Sequence, residues 1–266
     1  MIATNGDIHI YLPEHRNNAS IIQLELLKQH QLKKTEIDKF AVFWLESCCT
    51  PTTFANLLKT SNSDSLADIA QTATQAILKS TQPYTQPPYK KIHLKTQQLH
   101  APEPYLANIT FGQFIAAEEQ LFLYMLNQNS KHIANLANIL YRPETEKHYT
   151  NNEQSQITAQ EIAKTLKPHQ LHLILDYYIG SRTIIEQNNP QVFPAPQPKA
   201  TKPSLTAQKI LDMVKSYHAK LVQYAGTPDR KKHMYNESAW TVLEFINTDI
   251  QNYKIQEKNQ RTTKQK

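Results

Sequence analysis

The sequence predicts a mainly α protein, a multi-helical globular domain with a minor strand or hairpin element and a C-terminal helical lobe. Three observations lead there. Apolar residues recur at helical spacing in successive segments that open on Ser, Thr or Asp. Strand-like alternation is confined to two short stretches, Asp7 to Leu12 and Tyr89 to Leu99. Proline clusters divide the 266 residues into a main helical domain over 1–188, which contains an extended Pro/Tyr-rich ribbon at 82–104, then a Pro-rich linker at 189–203, a helical hairpin at 204–253 and a basic flexible tail at 254–266.

In chain order, Ile8, Ile10 and Leu12 alternate with polar neighbours until Pro13, and so short a strand needs a partner in this chain or another. From Ser20, Ile21, Leu24 and Leu27 suit a helix packed on one side. Thr35 caps a second that runs through Phe40 and Trp44 to the cysteine pair. Thr50-Pro51 reads as a cap with Pro at the first helical position, and Asp64 caps the next stripe, Leu66 to Leu78. Ile92 and Leu94 alternate with Lys and His between prolines, which predicts a protruding ribbon or lobe boundary. Thr110 caps the most apolar helix, Phe111 to Leu126, which must be buried on more than one face. Ser130 recaps the chain for a second helix to Leu140, giving a helical hairpin. A polar loop at 144–156 precedes a short helix from Ile157 to Leu166, and a longer helix carries Leu171 to Ile185. Beyond the linker, Ser204 opens a helix that Gly226 ends, and Asn236 caps the last. Nothing apolar follows Ile255, which predicts a disordered end.

Composition excludes several function classes. The 4 glycines, Gly6, Gly112, Gly180 and Gly226, are too scattered for a phosphate-cradling loop, and Gly180-Ser181 is not a nucleophile elbow. Cys48 and Cys49 are adjacent, so they do not bridge distant segments, and a reduced compartment is expected. The start, MIATNGDIHIYLPEHRNN, lacks a secretory pattern, and no apolar run approaches the ~20 residues of a bilayer span, so no membrane insertion is expected. Formal charge is +6, but Lys254, Lys258, Arg261, Lys264 and Lys266 against Glu257 place 5 − 1 = +4 of it in the tail. The other residues carry only 6 − 4 = +2, so the bulk of the chain is nearly neutral.

No catalytic, cofactor or metal site emerges. His169, His172 and Asp176 share a helix face but lack a further ligand, and they read as solvated polar residues. Asp229 and His233 are separated by cations that repel a metal. Glu118 and Glu119 point about 100° apart on a helix and read as surface or interface charge. Cys48 and Cys49 read as small apolar core residues. Two candidate surfaces remain. Tyr84, Tyr89 and Tyr105 around the ribbon, with Phe111 and Phe114, suit a protein partner because aromatic residues are enriched at interfaces. Arg230, Lys231 and Lys232, with Lys254, Lys258 and Arg261 of the tail, suit nucleic acid as the alternative.

The segment Tyr105 to Tyr149 resembles a family associated with the structural and assembly modules of tailed bacteriophages and prophages. The likeness rests on an extended Tyr-containing lead, a Thr-Phe-Gly-Gln-Phe-Ile helix start at Thr110 to Ile115, and a helix ending Leu-Ala-x-Ile-Leu-Tyr-Arg-Pro at Leu136 to Pro143. Upstream, Tyr89 to Leu99 fits the lead, and downstream, Leu171 to Phe193 fits a helix before an aromatic-proline stop. The likeness spans roughly residues 35 to 195 and is strongest over those 45 positions. It implies a virion component or a chaperone-like tail-assembly protein, with no enzyme activity and no cofactor. The implied partners are other phage or prophage structural proteins, with homo-oligomerisation left open. The implied place is the bacterial cytoplasm during assembly, with retention in the virion also open.

Overall fold

A computed structural model describes residues 2–5, 8–11, 16–33, 41, 44–60, 68–69, 71–72, 82–146, 149–193 and 227–264. The fold is mainly helical, as the apolar spacing predicts. Strands β1 (Ile2–Asn5) and β2 (Ile8–Tyr11) form an antiparallel hairpin, so the predicted N-terminal strand finds its partner within the chain. Helices α1 (Ile21–Lys33) and α2 (Pro51–Thr60) follow. A second antiparallel hairpin, β3 (Lys91–His93) with β4 (Gln98–His100), leads into α3 (Phe111–Asn127), α4 (Ser130–Leu140), α5 (Glu153–Thr165) and α6 (Pro168–Asn188). The C-terminal part holds α7 (Pro228–Asn236) and α8 (Ala239–Lys264). Among the described residues no helix is long and apolar enough to cross a membrane.

Local chemistry sets the helix ends. Thr50 Oγ1 accepts from Thr53 N at 3.1 Å, and Pro51 occupies the first position of α2, where its missing N–H costs nothing. Thr110 and Gln113 form a reciprocal capping box at the start of α3. Asn129 rather than Ser130 caps α4, its side chain accepting from Lys131 N. Asn152 caps α5 through Ser155 N, so this helix begins four residues before Ile157 and shortens the predicted loop.

One core organises most of the molecule. Leu24 of α1, Tyr84, Ile92 and Leu99 of the ribbon, and the inner faces of α3, α4 and α6 pack together. The ribbon therefore does not protrude: Ile92 and Leu99 turn inward, and main-chain pairing of His100 with Arg142 fastens it to the end of α4. Met234, Ala239, Val242, Leu243 and Ile246 join the same core, so the C-terminal helices do not build a separate one behind the proline linker. Main-chain bonds reinforce this, Phe111 N donating to Glu237 O at 2.8 Å and Ala239 N to Ile109 O at 3.0 Å. A smaller cluster holds Leu27, Trp44, Leu45 and Leu57.

One further expectation changes: 254–264 continue α8 rather than forming a disordered tail, while 229–235 lie within α7, capped by Thr227. The predicted helix from Ser204 to Gly226 lies outside the described residues, as do most of those opened by Thr35 and Asp64.

Candidate functional site

The 110–143 segment builds the structural joints first. Gln113 is buried, and its amide works at both ends: Oε1 accepts from Thr110 N at 2.9 Å, while Nε2 donates to Ile139 O at 3.0 Å. Ile139 lies in the last turn of α4, where helix carbonyls lack an intrahelical donor. Gln113 thus satisfies the start of α3 and the end of α4 together. Gly112 fits because a Cβ there would lie 3.0 Å from Tyr235 Cδ1 and 3.1 Å from Tyr235 O. Arg142 donates to Asn138 O, pairs with Glu146, and lies 5.4 Å from the Tyr149 ring centre.

The aromatic set predicted for partner contact divides. Tyr84, Phe111 and Phe114 are buried inside this chain, which corrects their reading as contact residues. Tyr89 is half-buried and donates to Glu25 Oε1 at 2.9 Å. Tyr105 is different. It is 44% exposed and has φ 60°, as does Leu106 beside it at 59°. Two hydrogen bonds to its main chain hold it there: Tyr105 N donates to Thr85 O at 2.9 Å, and the Trp240 side chain donates through Nε1 to Tyr105 O at 3.2 Å. Left-handed backbone at a bulky residue costs of order 1–3 kcal/mol.

The basic set also changes character. Arg230 and Lys232 are exposed on α7, and Lys231 lies on the same helix. Lys254, Lys258 and Arg261 are exposed on α8 at i, i+4 and i+7, which aligns them on one helix face. Lys254 Nζ donates to Gln191 Oε1 at 2.7 Å, and Arg261 pairs with Glu257 at 2.5 Å.

Glu118 is a residue that the sequence reading misplaced. It is 2% exposed, and its Oε1 accepts from Arg182 Nε at 2.7 Å and Tyr178 OH at 2.8 Å. Arg182 also pairs with Glu186 at 2.6 Å. Burial works against the Arg182 charge, but the Glu118 carboxylate outweighs it and holds the guanidinium above its ordinary pKa. Burial raises Glu186, which Arg182 offsets only in part. The cluster clamps α3 to α6.

Other constellations disperse. Asp176 pairs with Lys28 at 2.6 Å, His169 lies 3.7 Å from Glu25, and His172 meets the edge of Tyr124. His233 lies 3.3 Å from Glu237 rather than closing on Asp229. Among the described residues no three His, Cys, Asp or Glu gather to hold a metal ion. Burial pushes the Cys48 thiol up to about 11 and raises Cys49, which opposes a nucleophilic role.

A cleft of about 450 Å³ lies between α4 and α5, reaching Gln120 of α3 and Tyr149. A second, of about 300 Å³, shares Gln120, Tyr149 and Asn151 with it and runs on to Tyr235 and Asn236. The lining is rich in side-chain amides, a residue type too common in sequence to signal a site. Compared with family models, characterised proteins and solved structures, the chain matches none.

Proposed function

We propose that this protein is a non-enzymatic structural or tail-assembly component of a tailed-phage or prophage module, acting through contacts with other proteins of that module. The observation that supports this reading most is Tyr105, an exposed aromatic side chain on left-handed backbone that two long-range hydrogen bonds hold in place. Strain maintained by surrounding structure is common where a side chain is displayed for recognition. The likeness of Tyr105 to Tyr149 to phage assembly proteins points the same way. Its recurring residues act as joints: Gln113 ties helix start to helix end, and Gly112 admits Tyr235.

The test uses Tyr105→Gly. Glycine relieves the backbone strain, so the variant should be as stable as the parent or more stable, yet lose partner proteins in pull-downs from phage-producing cells read by mass spectrometry. Retention of every partner by the variant would remove Tyr105 from the interface, and recovery of no tail or capsid protein by the parent would sink the assembly reading.

One observation favours a nucleic-acid-associated role as the alternative, the alignment of Lys254, Lys258 and Arg261 along one face of α8. That role predicts binding that weakens steeply with salt and is lost when the three are changed to Glu. Salt-insensitive binding to duplex DNA or RNA would refute it.

A further inference from the structure

We propose that the cleft between α4 and α5 receives an extended, uncharged segment of a partner polypeptide, an inference that rests on the protein-binding reading above and gives it a site. The cleft is bordered by Asn129, Asn135, Asn138, Asn151, Gln156 and Gln160, with Ala134, Ala159 and Ala163 between them. The small residues leave room for a main chain, and the amides supply what a main chain needs. Each peptide unit presents one donor and one acceptor, and each primary amide offers two donors and one acceptor.

These amides are only partly used within the protein. Gln120 Oε1 accepts from Asn135 Nδ2 at 3.0 Å, which fixes the Gln120 side chain and leaves its NH₂ group. Asn129 Oδ1 accepts from Lys131 N, leaving its NH₂ group as well. Asn151, Gln156 and Gln160 have no side-chain partner among the described residues. Asn138 carries an independent pointer. It is 2% exposed, its Nδ2 donates to Ser155 O at 2.9 Å and Ser155 Oγ at 2.7 Å, and no donor among the described residues reaches its Oδ1. A buried acceptor without a donor costs of order 1–3 kcal/mol, and this one belongs to a residue lining both the large cleft and a smaller cavity beside it.

Charge and ring placement select the ligand class. Among the described residues, Lys131 is the one charged residue lining the large cavity and Glu119 the one lining its extension, a lining that matches neither a phosphate chain nor a strongly charged peptide. A sugar ligand would need an open aromatic face. Tyr149 has Arg142 over its ring, and Tyr235 has an edge carbon against the α3 backbone at Gly112. Hydrogen bonding to a polypeptide backbone is what the remaining groups do best.

The experiment pans a library of short displayed peptides against the full chain and measures the selected peptides by fluorescence anisotropy. The double variant Asn151→Ala, Gln160→Ala removes two exposed amides and should weaken binding by about tenfold. Ala163→Arg, also at an exposed position, should block the cleft and abolish binding, with thermal unfolding of both variants like the parent's. Failure to select any peptide, indifference of the selected peptides to these changes, or displacement by uncharged oligosaccharides instead would overturn the proposal. Should the cleft variants keep every particle protein recovered by the parent, the cleft assignment falls while the assembly reading stands. Cleft-dependent peptide binding without any particle protein in pull-downs upholds the cleft and sinks the assembly reading.

Discussion

Changing Arg182 to Leu would leave the Glu118 carboxylate, 2% exposed, with Tyr178 OH at 2.8 Å as its remaining hydrogen-bond donor among the described residues. Breaking a buried ion pair from one side costs about 3–5 kcal/mol, because the surviving charge has lost its neutralising partner without regaining water. The opposite change, Glu118→Gln, is milder. Arg182 keeps Glu186 at 2.6 Å and retains 18% side-chain exposure, so the loss is about 1–2 kcal/mol, the worth of a charged hydrogen bond partly replaced by solvent. In the double variant neither charge is stranded, so the combined cost should fall short of the sum by more than about 1 kcal/mol. Urea unfolding of all four proteins, with midpoints compared at constant slope, measures the cycle. An Arg182→Leu loss under about 1 kcal/mol, or strict additivity, would refute the view that this cluster clamps α3 to α6.

Gly180→Ala should destabilise at or above the roughly 3 kcal/mol end of ordinary overpacking, because the new Cβ would fall 2.6 Å from Tyr84 N and closer still to its carbonyl oxygen, backbone that cannot swing away; thermal melting measures it. Cys48 should alkylate slowly in the folded state, since a shift from 9.0 to about 11 is two units and lowers the thiolate fraction about 100-fold near neutral pH; timed iodoacetamide labelling with peptide mapping checks this against unfolded protein. His172 should make stability fall on acidification. Burial, and then Lys28, disfavour its charge more than Asp176 favours it, so its folded pKa lies below 6.5, and as pH drops through 6.5 the unfolded chain takes up the proton first. His172→Phe should flatten the stability profile in that window, and an unchanged slope would contradict the assignment.

The elements that were legible in sequence are those whose cause is local. Thr110 with Gln113 three residues on is a capping pattern, and it starts α3 where expected. The helix expected to carry Leu171 to Ile185 is α6, and it opens three residues earlier, with Pro168 at its first position. The misplacements come from long-range packing. Nothing adjacent to Glu118 reveals that Tyr178 and Arg182, 60 and 64 residues later, will enclose it. The ribbon looked detached because prolines flank it, yet its alternation puts Ile92 and Leu99 on the inward face. The proline linker suggested a separate lobe, whereas the apolar stripe of α8 needs the α3 side of the core to be covered at all.

The candidate surfaces follow the same division. Aromatic residues clustered in sequence were grouped as one patch, but an exposed aromatic and a core aromatic look alike in sequence, and only packing separates Tyr105 from Tyr84 and Phe114. The amide cleft was invisible for the opposite reason, since Asn and Gln scattered over α3, α4 and α5 carry no pattern until alanines at the helix contact leave space between them. Gln113 links these two surfaces physically. It secures the start of α3 near the Tyr105 turn to the end of α4, the helix that forms one wall of the cleft. Loss of its amide would leave the Ile139 carbonyl without its side-chain donor and loosen both surfaces together, while Tyr105→Gly or the Asn151 and Gln160 substitutions act on one at a time. Those separate effects are what make a two-surface binding protein distinguishable from a single contact patch.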